Sequence, residues 1–230
     1  MEKKILVIIP VVQTKLADDL LFSIEKNITY LPSRVYIINN SQKYYHAGLS
    51  KIPVSVTSTT ERVGTNDAWR MAFSTLKRDD DIICIFNDDI LIGPRFFEKL
   101  LLLMKRFSFC VPTIVKSVEQ LQSTTGNRHR LLTKRSGCAM CIRQDLFRKI
   151  PPIPKSLKVF FGDDWLFSCA RVVGLGTPII RMLDNPVFHY RGVTTHQWGV
   201  KFLRKLREEE RSIYHKEFES WRIQQQTKQV

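Results

Sequence analysis

Residues 81–89 read Asp81-Ile82-Ile83-Cys84-Ile85-Phe86-Asn87-Asp88-Asp89. An unbroken apolar run of this length, rich in β-branched side chains, suits a strand buried on both faces, as in the middle of a parallel sheet. The run ends abruptly in one carboxamide and two carboxylates. Like charges side by side at a partly buried strand end repel. A hard divalent cation such as Mg²⁺ or Mn²⁺ relieves that repulsion, binding through oxygen ligands with substrate phosphates completing its shell. Asn and Asp are also common in turns and caps, so the triplet alone reads equally well as a turn.

The same pattern repeats on the N-terminal side. Residues 5–12 form an apolar run ended by Gln13, residues 34–38 a second ended by Asn39-Asn40-Ser41, and residues 54–58 a weaker third. Between them, residues 15–28 and 65–76 carry apolar side chains at helical spacing, with Thr65 or Asn66 suited to cap the second helix. Residues 94–104 predict a further helix with Pro94 in its first turn. Strands alternating with helices predict an α/β fold with a mainly parallel central sheet flanked by helices. Ligands of such sheets bind beyond the C-terminal ends of the strands, where both polar triplets fall.

The second half is less regular. Residues 117–135 are polar and read as a long loop or hairpin, and residues 137–142 resume as a strand. Pro151, Pro152 and Pro154 break regular structure. A helix over 164–173, a strand over 178–183 and an amphipathic helix from Val200 follow. The division expected is 1–199 as the main domain, with a nucleotide-binding half at 1–115 and an acceptor and catalytic half at 116–199. A C-terminal helical extension, 200–230, packs on the same domain.

Composition narrows the classes. The 230 residues are 43% hydrophobic and 25% charged, ordinary for a globular protein. No apolar run reaches the roughly 18–20 residues that span a bilayer. The opening Met-Glu-Lys-Lys and the short run after it read as a first core strand, not a signal peptide, which implies a cytoplasmic setting. The five cysteines lie mostly in apolar stretches and read as buried thiols; Cys138 and Cys141 form a C-x-x-C without the second pair a zinc site needs. The formal charge of +14 favours anionic partners without choosing among them.

Two further features carry chemistry. Phe160-Phe161-Gly162-Asp163-Asp164-Trp165 sets two carboxylates in an aromatic stretch, where burial raises a carboxyl pKa toward the range of a general base; helix capping is the structural alternative. Val187-Phe188-His189-Tyr190 ends an apolar run in a histidine, a metal ligand only if the fold brings it to the acidic strand end.

From Lys4 to Gly192 the chain resembles the nucleotide-sugar glycosyltransferases of the GT-A fold, particularly the inverting family 2 group. The resemblance rests on the order of Ile8-Ile9-Pro10-Val11-Val12, Asn39-Asn40-Ser41, Arg62 to Trp69, Asn87-Asp88-Asp89, Ser136-Gly137-Cys138-Ala139-Met140, Asp163-Asp164 and His189. It implies that Pro10, Val11, Asn39, Asn40, Arg62, Asn66, Asn87 and Asp88 line a nucleotide-sugar. Asn87-Asp88-Asp89 matches the family's DxD motif, with Asn in its first position as a departure. Asp89 and His189 would hold Mn²⁺ or Mg²⁺. Asp164 would be the catalytic base and Asp163 its support, with the roles exchangeable because the family more often has Glu first. A UDP-sugar such as UDP-glucose is the implied donor, and a carbohydrate or glycan hydroxyl the acceptor.

The chain is also similar in size to compact glycosyltransferases encoded by large DNA viruses, which would place it in a host cytoplasm. Basic residues at Arg128–Arg135, Arg191 and Lys201 are candidates for holding the diphosphate. A nucleotidyltransferase is the alternative enzyme, but Pro10-Val11-Val12-Gln13-Thr14 lacks the glycines of a phosphate loop. A basic nucleic-acid-binding protein is the non-enzymatic alternative. Glu208-Glu209-Glu210, spaced to pair with Arg204 and Lys205, argues for a salt-bridged helix face instead. Peripheral contact of that helix with an anionic membrane, and a monomer or dimer, complete the expectations.

Overall fold

The computed structural model describes residues 3–27, 29–49, 51–77, 79–122, 126–174, 178–190 and 200–227. The first strand, β1 (Ile5–Val11), is buried along its whole length. Ile5, Val7, Ile9 and Val11 enter one core while Leu6 and Ile8 enter the other. Strand β4 (Ile82–Phe86) divides likewise, with Cys84 and Phe86 on the first side and Ile83 and Ile85 on the second. Burial on both faces explains why these runs do not alternate with polar residues.

Helices α1 (Thr14–Glu25) and α3 (Phe96–Met104) fill the first core through Leu20, Ile24, Phe97 and Leu100. Helices α2 (Thr65–Phe73), α4 (Gln144–Phe147), α5 (Gly162–Val173) and α6 (Val200–Thr227) line the second through Trp69, Leu146, Phe167 and Tyr214. Each fully buried Phe, Leu or Ile contributes about 1.5–3 kcal/mol.

With β2 (Arg34–Asn39), β3 (Val54–Ser58), β5 (Ile90–Ile92), β6 (Phe109–Val115), β7 (His129–Leu131), β8 (Ala139–Arg143) and β9 (Ile179–His189), the strands form one sheet in the order β3-β2-β1-β4-β8-β6-β9-β5, with β7 pairing beside β9. The block β3-β2-β1-β4 is parallel, as is β6 with β9. Strand β8 runs antiparallel between β4 and β6. Its N-terminal end therefore lies beside the C-terminal end of β4, where Phe86 faces Ala139. That insertion brings the second half of the chain to the edge where a parallel sheet binds ligands.

Strand β9 contains an irregularity that aims its end. Its register with β6 shifts between Pro112 and Thr113, from Met182 to Pro186. Before the shift β9 pairs with β7, and after it with β5, which sets His189 opposite Ile90. Polar groups released by the shift are satisfied: Asp184 accepts from Arg128, Lys99 Nζ donates to the Asp184 carbonyl at 2.7 Å, and Asn185 Nδ2 donates to Phe96 O at 3.0 Å.

Three local expectations are corrected. Pro94 lies ahead of α3, because Arg95 adopts the left-handed region at φ 60° and Phe96 is the first helical residue. Asn27 Oδ1 caps that helix from a distance by accepting from Phe96 N at 2.6 Å. Helix α2 is preceded by Gly64 with no side-chain cap, so Thr65 and Asn66 lie within its first turn. The polar stretch 117–135 contains β7, which pairs with β9 and makes no hairpin of its own; Arg130 and Leu131 are exposed, so no apolar alternation marked it.

Helix α6 is attached by more than apolar contact. Glu210 is buried, and its carboxylate accepts from three successive backbone amides: Lys158 N at 2.9 Å, Val159 N at 3.1 Å and Phe160 N at 2.7 Å. Arg204–Glu208 and Lys205–Glu209 pair along the exposed face as their spacing predicts, but Glu210 points inward. Among the described residues no helix is long and apolar enough to cross a membrane. Stranding a buried donor costs about 1–3 kcal/mol. Glu210→Ala should therefore lower stability by at least about 2 kcal/mol in urea unfolding, and Glu210→Gln, which keeps an accepting oxygen, by less.

Candidate functional site

The acidic strand end assigns a different task to each residue. Asp88 is buried, and its Oδ2 accepts from Val12 N and Gln13 N, both at 2.7 Å. Those amides lie just before α1, at the end where the helix dipole favours a negative charge. Burial raises the Asp88 carboxyl to about 7, against the lowering effect of the two amides. Asp88 thus fastens β4 to the β1–α1 turn. Asn87 is half-buried and donates its backbone N–H to Cys138 O at 2.9 Å, tying the triplet to the segment before β8.

Asp89 is buried and meets the end of β9. Its Oδ1 lies 3.2 Å from His189 Nε2, and its carbonyl accepts from Tyr190 N at 2.9 Å. One carboxylate oxygen and one imidazole nitrogen fit Mn²⁺ or Mg²⁺ bound partly by the protein and partly by substrate oxygens. Among the described residues no three His, Cys, Asp or Glu side chains group to hold a metal by themselves.

The second acidic pair sits in the first turn of α5. Phe161 precedes it in the left-handed conformation at φ 60°, so neither aspartate is the N-cap. Asp163 lies against Gly137, where an added Cβ would come within 2.3 Å of its Oδ2. Burial, then the charge of Asp164, raises Asp163 to about 6. Asp164 pairs with Arg135, which also bonds Tyr214 of α6. Gly137 and Cys138 join the two acidic motifs: Asp163 packs on Gly137, and Asn87 N–H donates to Cys138 O. Burial pushes the Cys138 thiol up to about 11, and the charges of both Asp89 and Asp163 add to that. The two motifs, more than seventy residues apart in sequence, thus share one site.

Other predicted residues build its walls. Asn66 is buried; its backbone N–H donates to Lys158 O at 2.9 Å and its Nδ2 to Phe160 O at 2.8 Å. Gly162 packs on the same side chain, with an added Cβ only 1.9 Å from Asn66 Oδ1. Pro10 and Val11 are buried at the end of β1. Asn39 donates to Lys43 O and Ser58 Oγ, and Asn40 binds both backbone groups of Val63. Their side chains fasten the loops after β2 and β3. Arg62 is exposed in the loop before α2, and Lys201 on α6. Arg191 lies outside the described residues.

Sequence reasoning missed Glu210, whose three amides precede Asp163 by a few residues, because its helical spacing also fits a surface pair. It also missed Tyr45, which donates to Asp18 at 2.7 Å beside the Asp88 turn. No local pattern marks either contact.

No protein-family model matches the chain, and no curated protein matches it in sequence. Solved structures match it in shape. GalNAc-T7, solved with UDP, GalNAc and Mn²⁺, superposes with a TM-score of 0.61 at 12% identity over 81% of this chain and 43% of that one. Residues 1–349 of S. aureus TarS, in complex with UDP-GlcNAc, give 0.61 at 14% identity over 86% of this chain and 62% of that one. A mycobacterial protein gives 0.55 at 12% identity, covering 85% and 70%. The chain spans about half the length of the first two, and at these identities the likeness establishes the fold, which is GT-A.

The fit of Asp163 against Gly137 is testable without any substrate. Gly137→Ala should destabilise the protein by about 1–3 kcal/mol, the usual effect of overpacking. Gly48→Ala, with nothing within 4 Å of the added carbon, should leave the thermal midpoint nearly unchanged.

Proposed function

We propose that the chain is a metal-assisted glycosyltransferase that moves a sugar from a UDP-sugar to a hydroxyl of a carbohydrate acceptor, with inversion. The observation that carries this reading is that the segment Gly137-Cys138 joins both acidic motifs: Asp163 packs on Gly137, and Asn87, two residues before Asp89, donates to Cys138 O. The GT-A fold, shared with proteins solved with UDP and UDP-GlcNAc, supports the choice of donor.

The residues divide the work by position. Asp89 and His189 would hold the divalent cation, which when bound supplies positive charge to offset the growing negative charge on the diphosphate. The β1–α1 turn, held by Asp88, and the loop before α2 would orient the nucleotide. Asp164, on the first turn of α5 and 30% exposed, is the base we assign. It takes the proton of the acceptor hydroxyl as that oxygen bonds to the anomeric carbon. The bond from that carbon to the diphosphate oxygen breaks, and its electron pair leaves with UDP. An ionised Asp163 next to Asp164 places a second negative charge at the acceptor end of the site. The pair with Arg135 keeps Asp164 oriented until an acceptor arrives.

Metal-dependent release of UDP from UDP-sugars tests the reading. Asp89→Ala should reduce that release at least about a hundredfold, given that one such electrostatic element is worth several kcal/mol, while leaving the circular dichroism spectrum intact. Full activity in this variant would sink the metal assignment. Asp164→Asn should still bind UDP but lose transfer, and unchanged transfer would move the base elsewhere.

The pH profile tests Asp163. Its carboxyl is raised to about 6, so it is charged above that pH and neutral below. Transfer should fall as pH drops through about 6, and that limb should disappear in Asp163→Asn. A limb that persists in the variant belongs to another group.

A further inference from the structure

Among the described residues, a cationic cluster near the acidic pair has no carboxylate counter-charge. Arg130 on β7 lies directly opposite Arg181 on β9 in an antiparallel ladder, so both side chains leave the same face of the sheet. Ile179, two residues before Arg181, belongs to the core that packs against α5, which identifies that face. Like charges directly opposed across a ladder are destabilising. Arg181 is half-buried, so its charged form is disfavoured first by desolvation and then by the like charge of Arg130.

The cluster adjoins the site through short links. Arg181 Nη2 donates to the carbonyl of Lys134, and the next residue, Arg135, pairs with Asp164. Neighbouring cations do find carboxylates: Arg128 has Asp184 and Arg135 has Asp164. Among the described residues, Arg130, Lys134 and Arg181 have no carboxylate partner. The residues outside the described set hold a single carboxylate side chain, that of Glu2.

We infer that Arg130, Lys134 and Arg181 form a subsite for an anionic group on the acceptor, making the acceptor a negatively charged glycan. This rests on the transferase reading of the Asp163–Asp164 end. A phosphate, sulfate or carboxylate supplies the missing counter-charge, and a guanidinium fork accommodates two oxygens of any of them. An acceptor anchored there has its hydroxyl brought toward Asp164.

The test uses the full chain on an array of neutral, carboxylated, sulfated and phosphorylated glycans at about 150 mM salt, where distant surface charges are screened. Wild type is compared with Arg130→Gln/Arg181→Gln and with Lys51→Gln/Lys77→Gln. The second pair removes the same charge from exposed residues ahead of β3 and β4, three or more strands away from β9 in the sheet order. We expect anionic glycans to be retained over neutral ones and the first pair to weaken that binding about tenfold or more, the worth of one charged hydrogen bond. The second pair should change it less than about twofold, since screening weakens charges beyond a Debye length. The array class retained separates phosphate, sulfate and carboxylate.

Equal losses in the two variants, no binding to any anionic glycan, or preference for neutral ones would overturn the inference. So would tighter retention of a single-stranded oligonucleotide, which would mark a nucleic-acid surface. UDP affinity, measured by calorimetry, should be the same in wild type and in the first variant. Absence of UDP binding in wild type would strike the transferase reading itself and leave the array result to stand separately.

Discussion

The site depends first on a carboxylate turned into the backbone. Asp88 anchors the end of β4 to the two amides that open α1. Moving that strand end would carry Asn87 away from Cys138 and Asp89 away from His189. Its burial is tolerated because two amides and a helix dipole compensate the charge. Two adjacent aspartates thus solve their mutual repulsion by pointing into different environments, one into the turn and one toward the imidazole.

The acidic pair on α5 divides in a similar way. Asp163 is wedged against the glycine before β8, and Asp164 turns toward Arg135. The loop that delivers both is held from two sides. Asn66 takes its carbonyls from the α2 side, and Glu210 takes its amides from α6. Backbone groups of residues 158–160 are therefore bonded in both senses, which makes this irregular segment as fixed as a strand.

How much of this was legible depends on the range of the interaction involved. The parallel block could be read from β1, β2 and β4, because burial on both faces writes itself as unbroken apolar runs. The GT-A fold followed from the order of short motifs, and the structural matches agree with it. The antiparallel insertion of β8 and the shifted register of β9 are pairings between distant segments, and no local period encodes them. Asn39 and Asn40, expected at the nucleotide, fasten the loops after β2 and β3 with their side chains; a carboxamide serves a loop or a ligand with the same atoms, so the sequence does not separate the two tasks. Glu210 was hidden by a coincidence of spacing: the helix repeat that pairs its two neighbours with cations sets the third glutamate on the inward face.

The position of Glu210 also has a consequence in time. It lies fifty residues beyond Phe160, whose amide it accepts. On a ribosome adding about 5–20 residues per second, that interval is roughly 3 to 10 s. Throughout it the sheet can assemble, since all of its strands precede α6. The segment carrying the acidic pair, however, has its amides open to water until the last helix emerges and docks. The nascent chain can therefore assemble its sheet before the segment carrying the acidic pair gains the anchor that Glu210 supplies.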